Sequence, residues 1–149
     1  MKGGIILLVE DDSKDEALTL RALSRSPIRH DVVVSRDGAQ ALDYLFAQNA
    51  YASRNPLDLP AVMLLDLKLP KVDGLEVLRR VRANPRTRLL PVVILTSSNE
   101  EQDRLDGYAC GANSYVRKPV EFTEFANAVQ QVGLYWLLLN EPPPIRPGS

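Results

Sequence analysis

Four stretches of the chain are apolar without interruption: Ile5-Ile6-Leu7-Leu8-Val9, Val32-Val33-Val34, Val62-Met63-Leu64-Leu65 and Val92-Val93-Ile94-Leu95. A strand with one wet face alternates apolar and polar residues. Continuous runs rich in β-branched residues instead belong to strands covered on both faces, as in a parallel sheet between two helix layers. Ser114-Tyr115-Val116 is a shorter fifth run. Helical periodicity fills the intervals, over Ser13 to Ser26, Gly38 to Gln48, Gly74 to Asn84, Ser98 to Gly111 and Glu121 to Leu139. Ser13-Lys14-Asp15-Glu16 and Ser98-Asn99-Glu100-Glu101 read as capping boxes, and Gly111 as a helix stop. The pattern predicts an α/β fold of (βα)5 type. Right-handed crossovers then give a doubly wound, flavodoxin-like parallel sheet of order 2-1-3-4-5, with ligands outside the carboxyl ends of the strands.

Two stretches fall outside this pattern. Asn49 to Pro60 is a polar insertion before the third strand, and the tail 140–149 carries Pro142, Pro143, Pro144 and Pro147, which exclude helix. The folded unit is expected over 1–139. In its last helix Phe122, Phe125, Val129, Val132, Trp136 and Leu139 form one stripe at steps of 3 and 4, suited to packing on the sheet. Beyond Gly133 the other faces are apolar too, through Leu134, Tyr135, Leu137 and Leu138. A turn apolar all round needs a cover, and a second copy, in a homodimer through the C-terminal helix, is the expected one.

Composition narrows the class. With 149 residues, 45% hydrophobic and 25% charged, the chain matches globular averages and excludes disordered, collagen-like and coiled-coil classes. A net charge of −1 supplies no field to recruit DNA or an anionic membrane. Arg79, Arg80, Arg82, Arg86 and Arg88 accordingly read as a solvated basic face. One Cys (Cys110) and one His (His30) cannot build a structural zinc site or an internal disulfide. No apolar run has the length of a signal core or a spanning helix. A cytoplasmic protein is expected.

The candidate chemistry lies where strands end. Strand 1 runs into Glu10, Asp11 and Asp12, and strand 3 into Asp66. In a 2-1-3 order these ends are neighbours, so the acids converge at the switch point of the sheet. Carboxylates without imidazole or thiolate suit Mg2+ or Mn2+. Taken alone the acidic run reads equally as a solvated loop or as helix caps. Strand 4 ends in Thr96, however, and strand 5 is followed by Lys118, which sequence alone places at a wet rim. An acid pair, a further acid, a hydroxyl and an ammonium are the parts phosphoryl transfer to a carboxylate requires. Asp66 would be the nucleophile.

In these motifs the chain resembles the receiver domains of two-component response regulators, of the chemotaxis receiver type, over roughly residues 4–133. The resemblance rests on the motifs spanning 8–12, 63–74 and 92–97, and on Gly111-Ala112-Asn113-Ser114-Tyr115-Val116-Arg117-Lys118-Pro119. It implies that Asp66 is the phospho-acceptor and that Glu10 and Asp11 are the acidic pair, with Asp11 the closer metal ligand. Lys68 would lend its backbone carbonyl to the ion. Thr96 would be the switch hydroxyl, Lys118 the phosphate cation, and Tyr115 the aromatic that changes rotamer. A cis Lys118–Pro119 bond is expected. Asp66 to Thr96 is 30 residues and Thr96 to Lys118 is 22, as in a minimal receiver, whereas Asp11 to Asp66 is a longer 55. The insertion and the C-terminal extension with Trp136 are similar to those of response regulators that pair with phytochrome-type photoreceptor kinases.

The function implied is that of a stand-alone regulator. It would take a phosphoryl group from a sensor histidine kinase and change its surface for a downstream protein target, or relay the group onward. Its only catalysis would be its own aspartyl phosphorylation and dephosphorylation. The alternative is a receiver-fold interaction module that works without phosphorylation, against which the full set Glu10, Asp11, Asp66, Thr96 and Lys118 argues. A phosphatase of the haloacid-dehalogenase type needs a second acid two residues after the nucleophile, where this chain has Lys68. A flavin carrier would need a phosphate-cradling loop after strand 1, and none is present.

Overall fold

The computed structural model describes residues 4–144. β1 (Gly4–Val9), β2 (His30–Ser35), β3 (Val62–Leu65), β4 (Val92–Thr96) and β5 (Ser114–Arg117) form one parallel sheet in the order β2-β1-β3-β4-β5. Successive side chains of a strand point to opposite faces. Leu7, Val9, Met63, Leu65, Val92 and Ile94 therefore share one buried cluster with Ala41, Leu45, Val77, Leu78 and Val81, which come from α2 (Gly38–Phe46) and α3 (Gly74–Ala83). Ile6, Leu8, Val62, Leu64, Val93 and Leu95 face the other way, onto Ala22 and Leu23 of α1 (Ser13–Ser24) and Phe125 and Val129 of α5 (Phe122–Leu134). Both faces are covered, which is why the strand sequences do not alternate. α4 (Glu101–Ala109) precedes β5.

Neither expected capping box forms. Asp12, one residue earlier than expected, caps α1 by accepting from the Asp15 N–H, and Ser13 is the first helical residue. α4 starts at Glu101 without a side-chain cap, and the Ser98 hydroxyl donates to Asp103 instead. At α4 the Ser98 hydroxyl accepts from the Glu100 N–H at 3.3 Å, whereas at α1 an acid displaces serine, because a carboxylate accepts more strongly than a hydroxyl. Asp37, Asp73 and Glu121 cap α2, α3 and α5 in the same way.

The insertion is tied down rather than loose. After a 3-10 turn at Asn49–Tyr51, the Tyr51 ring packs edge-on against Tyr44 with centroids 5.1 Å apart. The Arg54 guanidinium sits 4.1 Å above the Tyr44 ring and donates to the carbonyls of Tyr44 and Asp58. Arg82 departs from the expected solvated face: it donates to the carbonyls of Gly111, Arg88 and Leu90 and to Asn113 Oδ1, stitching α3 to the start of β5.

The C-terminal stripe is also corrected at both ends, and at its start Phe122 is exposed. Phe125, Val129, Gly133 and Leu137, each four residues after the last, form the buried ridge, and Leu137 is only 3% exposed, whereas Leu139 is 63% exposed. Gly133 lets α5 approach α1, since a Cβ there would lie 3.1 Å from Leu23 Cδ2. Past it the helix widens into a π turn, Tyr135–Leu139, closed by the Asn140 N–H on the Tyr135 carbonyl at 2.7 Å. The turn is thus covered on one side by its own chain. Leu134, Tyr135, Leu138 and Leu139 remain exposed. Residues 145–149 of the expected Pro-rich tail lie outside the described residues, and 141–144 carry no helix or strand.

Candidate functional site

Register delivers the acids to one rim. Val9 pairs with Leu65, Leu65 with Ile94 and Ile94 with Tyr115, so four strands end nearly level. The ladder then extends one step beyond the strands: Glu10 N–H donates to the Ser35 carbonyl, Asp66 N–H to the Val9 carbonyl and Lys118 N–H to the Thr96 carbonyl. Glu10, Asp66 and Lys118 are therefore each anchored by their own backbone. The expected cis Lys118–Pro119 bond is not found, and the peptide is trans. Trans is the intrinsically favoured form, and the Lys118 N–H bond at 2.7 Å sets the lysine without the cis isomer.

Asp66 is the centre of the set. Its Oδ1 accepts from the Thr96 hydroxyl at 3.0 Å and from the Lys68 N–H at 3.3 Å, and its Oδ2 accepts from Lys118 Nζ at 2.9 Å. Behind it the chain folds back through Gly74, whose N–H donates to the Leu67 carbonyl at 2.8 Å. A Cβ at Gly74 would lie 2.3 Å from the Asp66 carbonyl oxygen, so only glycine fits this approach.

Among the described residues, Glu10, Asp11 and Asp66 each offer a carboxylate oxygen, all within 4.8 Å of one another. Glu10 is buried and accepts from the Asp12 N–H, while Asp11 is exposed. Burial pushes the Glu10 carboxyl up to about 7, against the hydrogen bond and charge of Lys118, with the Asp66 charge adding to the rise. Crowded carboxylates in a dry rim favour a proton or a cation between them. All-oxygen donors with two of the three residues buried fit a hard divalent ion.

Lys118 is not at a wet rim. Its side chain is 5% exposed and its Nζ is bonded to three carboxylates, from Glu10, Asp66 and Asp15. Burial by itself would lower the ammonium pKa, but the hydrogen bonds to Glu10, Asp66 and Asp15 and the Asp66 charge outweigh it and raise the pKa above the ordinary lysine value. Tyr115 is half-buried, and its hydroxyl reaches the Ser98 carbonyl at 3.4 Å, two residues beyond Thr96. Burial raises its phenol pKa.

Asp15 was missed as a member of the set. Its place in the first turn of α1, just after the acidic run, is legible in the sequence, but there it reads as part of a capping box. Asp12 and Asp73 are helix caps. His30 opens β2 with its Nδ1 2.8 Å from the Ile28 carbonyl, far in the fold from the acids' rim at the other strand end. Cys110 packs on the core edge.

Comparison with known proteins matches this geometry. The response regulator receiver domain model matches residues 6–130, and the chain belongs to that family. It is 40% identical over 139 residues to the probable methanogenesis regulatory protein FilR2 of Methanothrix harundinacea, covering 93% of this chain and 87% of that one. It is 38% identical over 133 residues to response regulator Rcp1 of Synechocystis, covering 89% of this chain and 88% of that one. The crystal structure of Mn(2+)-bound Rcp1 superposes with a TM-score of 0.88, at 36% identity over 95% of this chain and 99% of that one. The phosphorylated cyanobacterial phytochrome response regulator RcpA gives 0.89 at 35% identity, again over 95% and 99%. The bacteriophytochrome response regulator RtBRR gives 0.75 at 55% identity over 95% and 84%.

Proposed function

We propose that this response regulator receiver accepts a phosphoryl group on Asp66 from a sensor histidine kinase, and that the modified site changes a surface read by a protein target or relays the group onward. One observation carries the reading: Thr96, Lys118 and the Lys68 N–H converge on the two oxygens of Asp66 beside the Glu10/Asp11 pair. A carboxylate nucleophile gains from such donors because they stabilise the phosphoryl oxygens of the transition state. Glu10, Asp11 and Asp66, with the Lys68 backbone carbonyl, would hold Mg2+ or Mn2+, and the ion supplies positive charge to the transferring phosphoryl oxygens. Thr96 then follows a phosphoryl oxygen, and Tyr115, next along from the Thr96-Ser98 segment, turns with it. The chemistry is confined to the chain's own aspartate.

Likeness to the phytochrome regulators supports a photoreceptor histidine kinase as the donor. We place the protein in the cytoplasm beside such a kinase, as a receiver over 1–139 with a Pro-rich tail 140–149. No helix among the described residues is long and apolar enough to cross a membrane. The near-zero net charge supports protein rather than DNA as the target. The exposed Leu134, Tyr135, Leu138 and Leu139 support a homodimer through the C-terminal helix, where two-fold symmetry would set one patch against its copy.

The test is phosphoryl uptake from acetyl phosphate. We expect Mg2+-dependent labelling that Asp66→Asn and excess chelator abolish. Equal labelling of Asp66→Asn would overturn the acceptor. No uptake by the wild type, from acetyl phosphate or from a kinase, would favour the phosphorylation-independent module.

A further inference from the structure

An ammonium group carries three N–H donors and no acceptor. Lys118 spends all three on carboxylates: Glu10 Oε1 at 2.5 Å, Asp66 Oδ2 at 2.9 Å and Asp15 Oδ2 at 2.9 Å. The first two partners belong to the Glu10, Asp11 and Asp66 set. The third comes from the first turn of α1, 103 residues away in the chain. Asp15 is itself held by backbone: its N–H donates to Asp12 Oδ1 at 2.9 Å and its carbonyl accepts from the buried Thr19 hydroxyl at 2.7 Å. A fixed helix end thus presents the carboxylate to a lysine whose four-carbon stem is flexible.

We propose that Asp15 is a positioning residue for phosphoryl transfer, holding the Lys118 ammonium where the phosphoryl oxygens arrive. The proposal rests on the reading of Asp66 as acceptor. With acetyl phosphate as donor, an Asp66 carboxylate oxygen bonds to phosphorus while the bond from phosphorus to the acetyl oxygen breaks. Acetate leaves with that electron pair, and no proton moves. The Asp66 oxygen becomes an ester oxygen, a poorer acceptor than a carboxylate. One Lys118 N–H is then free for a phosphoryl oxygen, and Glu10 and Asp15 keep the other two, so the ammonium turns toward the new group without leaving its place.

Asp15 is the most exposed of the three partners, at 27% against 2% and 10%, so the fold tolerates its replacement best. Asp15→Ala removes the acceptor, whereas Asp15→Asn removes the charge and keeps an oxygen for the third N–H. Two measurements on the full chain test the proposal, with thermal melting as the check that each variant folds. In metal-free protein, the 15N-detected ammonium signal of Lys118 should exchange slowly with water in the wild type and Asp15→Asn, and broaden away in Asp15→Ala. At saturating acetyl phosphate and Mg2+, phosphoryl uptake should slow about five-fold in Asp15→Ala and stay within about two-fold of the wild type in Asp15→Asn. Both effects are required, and either one alone overturns the proposal. Asp15→Asn as slow as Asp15→Ala also overturns it, because charge rather than position would then be at work. A wild type that takes up no phosphoryl defeats the acceptor reading, and the transfer role of Asp15 with it, while the ammonium signal still reports whether Asp15 holds Lys118.

Discussion

Glu10 and Lys118 stand 108 residues apart in the chain, yet Glu10 Oε1 and Lys118 Nζ meet at 2.5 Å with both side chains almost fully buried. A buried ion pair adds little over an apolar replacement, but removing one partner leaves the other charge without compensation. In the metal-free protein Lys118→Ala would strand three carboxylates around one point. We expect a loss of about 3 kcal/mol of stability. Mg2+ should raise the melting temperature of the variant more than that of the wild type, because the ion replaces the missing charge. Thermal denaturation with and without Mg2+ checks this, and a variant as stable as the wild type without metal would contradict it.

Gly74 tests how tightly the rim is built. Alanine there would place its Cβ 2.3 Å from the Asp66 carbonyl oxygen and 2.6 Å from Leu67 Cα, both backbone atoms that cannot step aside. Overpacking of this kind costs about 1–3 kcal/mol. Gly74→Ala is expected to lower the melting temperature and to slow phosphoryl uptake, since the shift falls on the residue bearing the acceptor.

Arg54 gives the opposite outcome. Its guanidinium clamps the insertion onto Tyr44, at the end of the sheet away from the acids. Arg54→Ala should cost about 1 kcal/mol through the lost ring contact and hydrogen bonds. Phosphoryl uptake should be unchanged. Denaturant unfolding and the acetyl phosphate assay separate the two effects.

The Glu121 cap makes a pH prediction. Its carboxylate accepts from the N–H groups of Thr123 and Glu124, and these bonds hold its pKa below the ordinary 4.5. A carboxyl with a lowered folded-state pKa stabilises the fold above its unfolded value, and that contribution disappears as the pH falls through the lowered one. The melting-temperature gap between wild type and Glu121→Ala should therefore be full above pH 4.5 and close at more acid pH.

Dimerisation is best tested by point changes, because Leu137 belongs to the core and truncation after Gly133 would remove it. Leu138→Glu with Leu139→Glu alters only exposed positions. Analytical ultracentrifugation should show a dimer for the wild type and a monomer for the double variant, with phosphoryl uptake intact. A wild type that stays monomeric at high micromolar concentration would refute the interface.

The strands, their order and the five rim residues Glu10, Asp11, Asp66, Thr96 and Lys118 were legible in the sequence. The reason is that each signal is local. An uninterrupted apolar run marks a strand covered on both faces, crossover handedness leaves few orders for alternating strands and helices, and a polar residue directly after such a run must stand at the sheet's edge. What the tertiary structure decided depends on how one element is rotated against another. The sequence puts Asp15 in the first turn of α1, but only the seating of α1 on the sheet points it at Lys118. Arg82 read as a solvated charge until the approach of the Gly111 carbonyl gave its guanidinium acceptors. Leu137 rather than Leu139 is buried because the four-residue ridge through Gly133 faces the core. Local pattern states which side of an element is apolar. Only packing sets which distant side chain meets it, because that choice minimises voids and unpaired charge over the whole molecule at once.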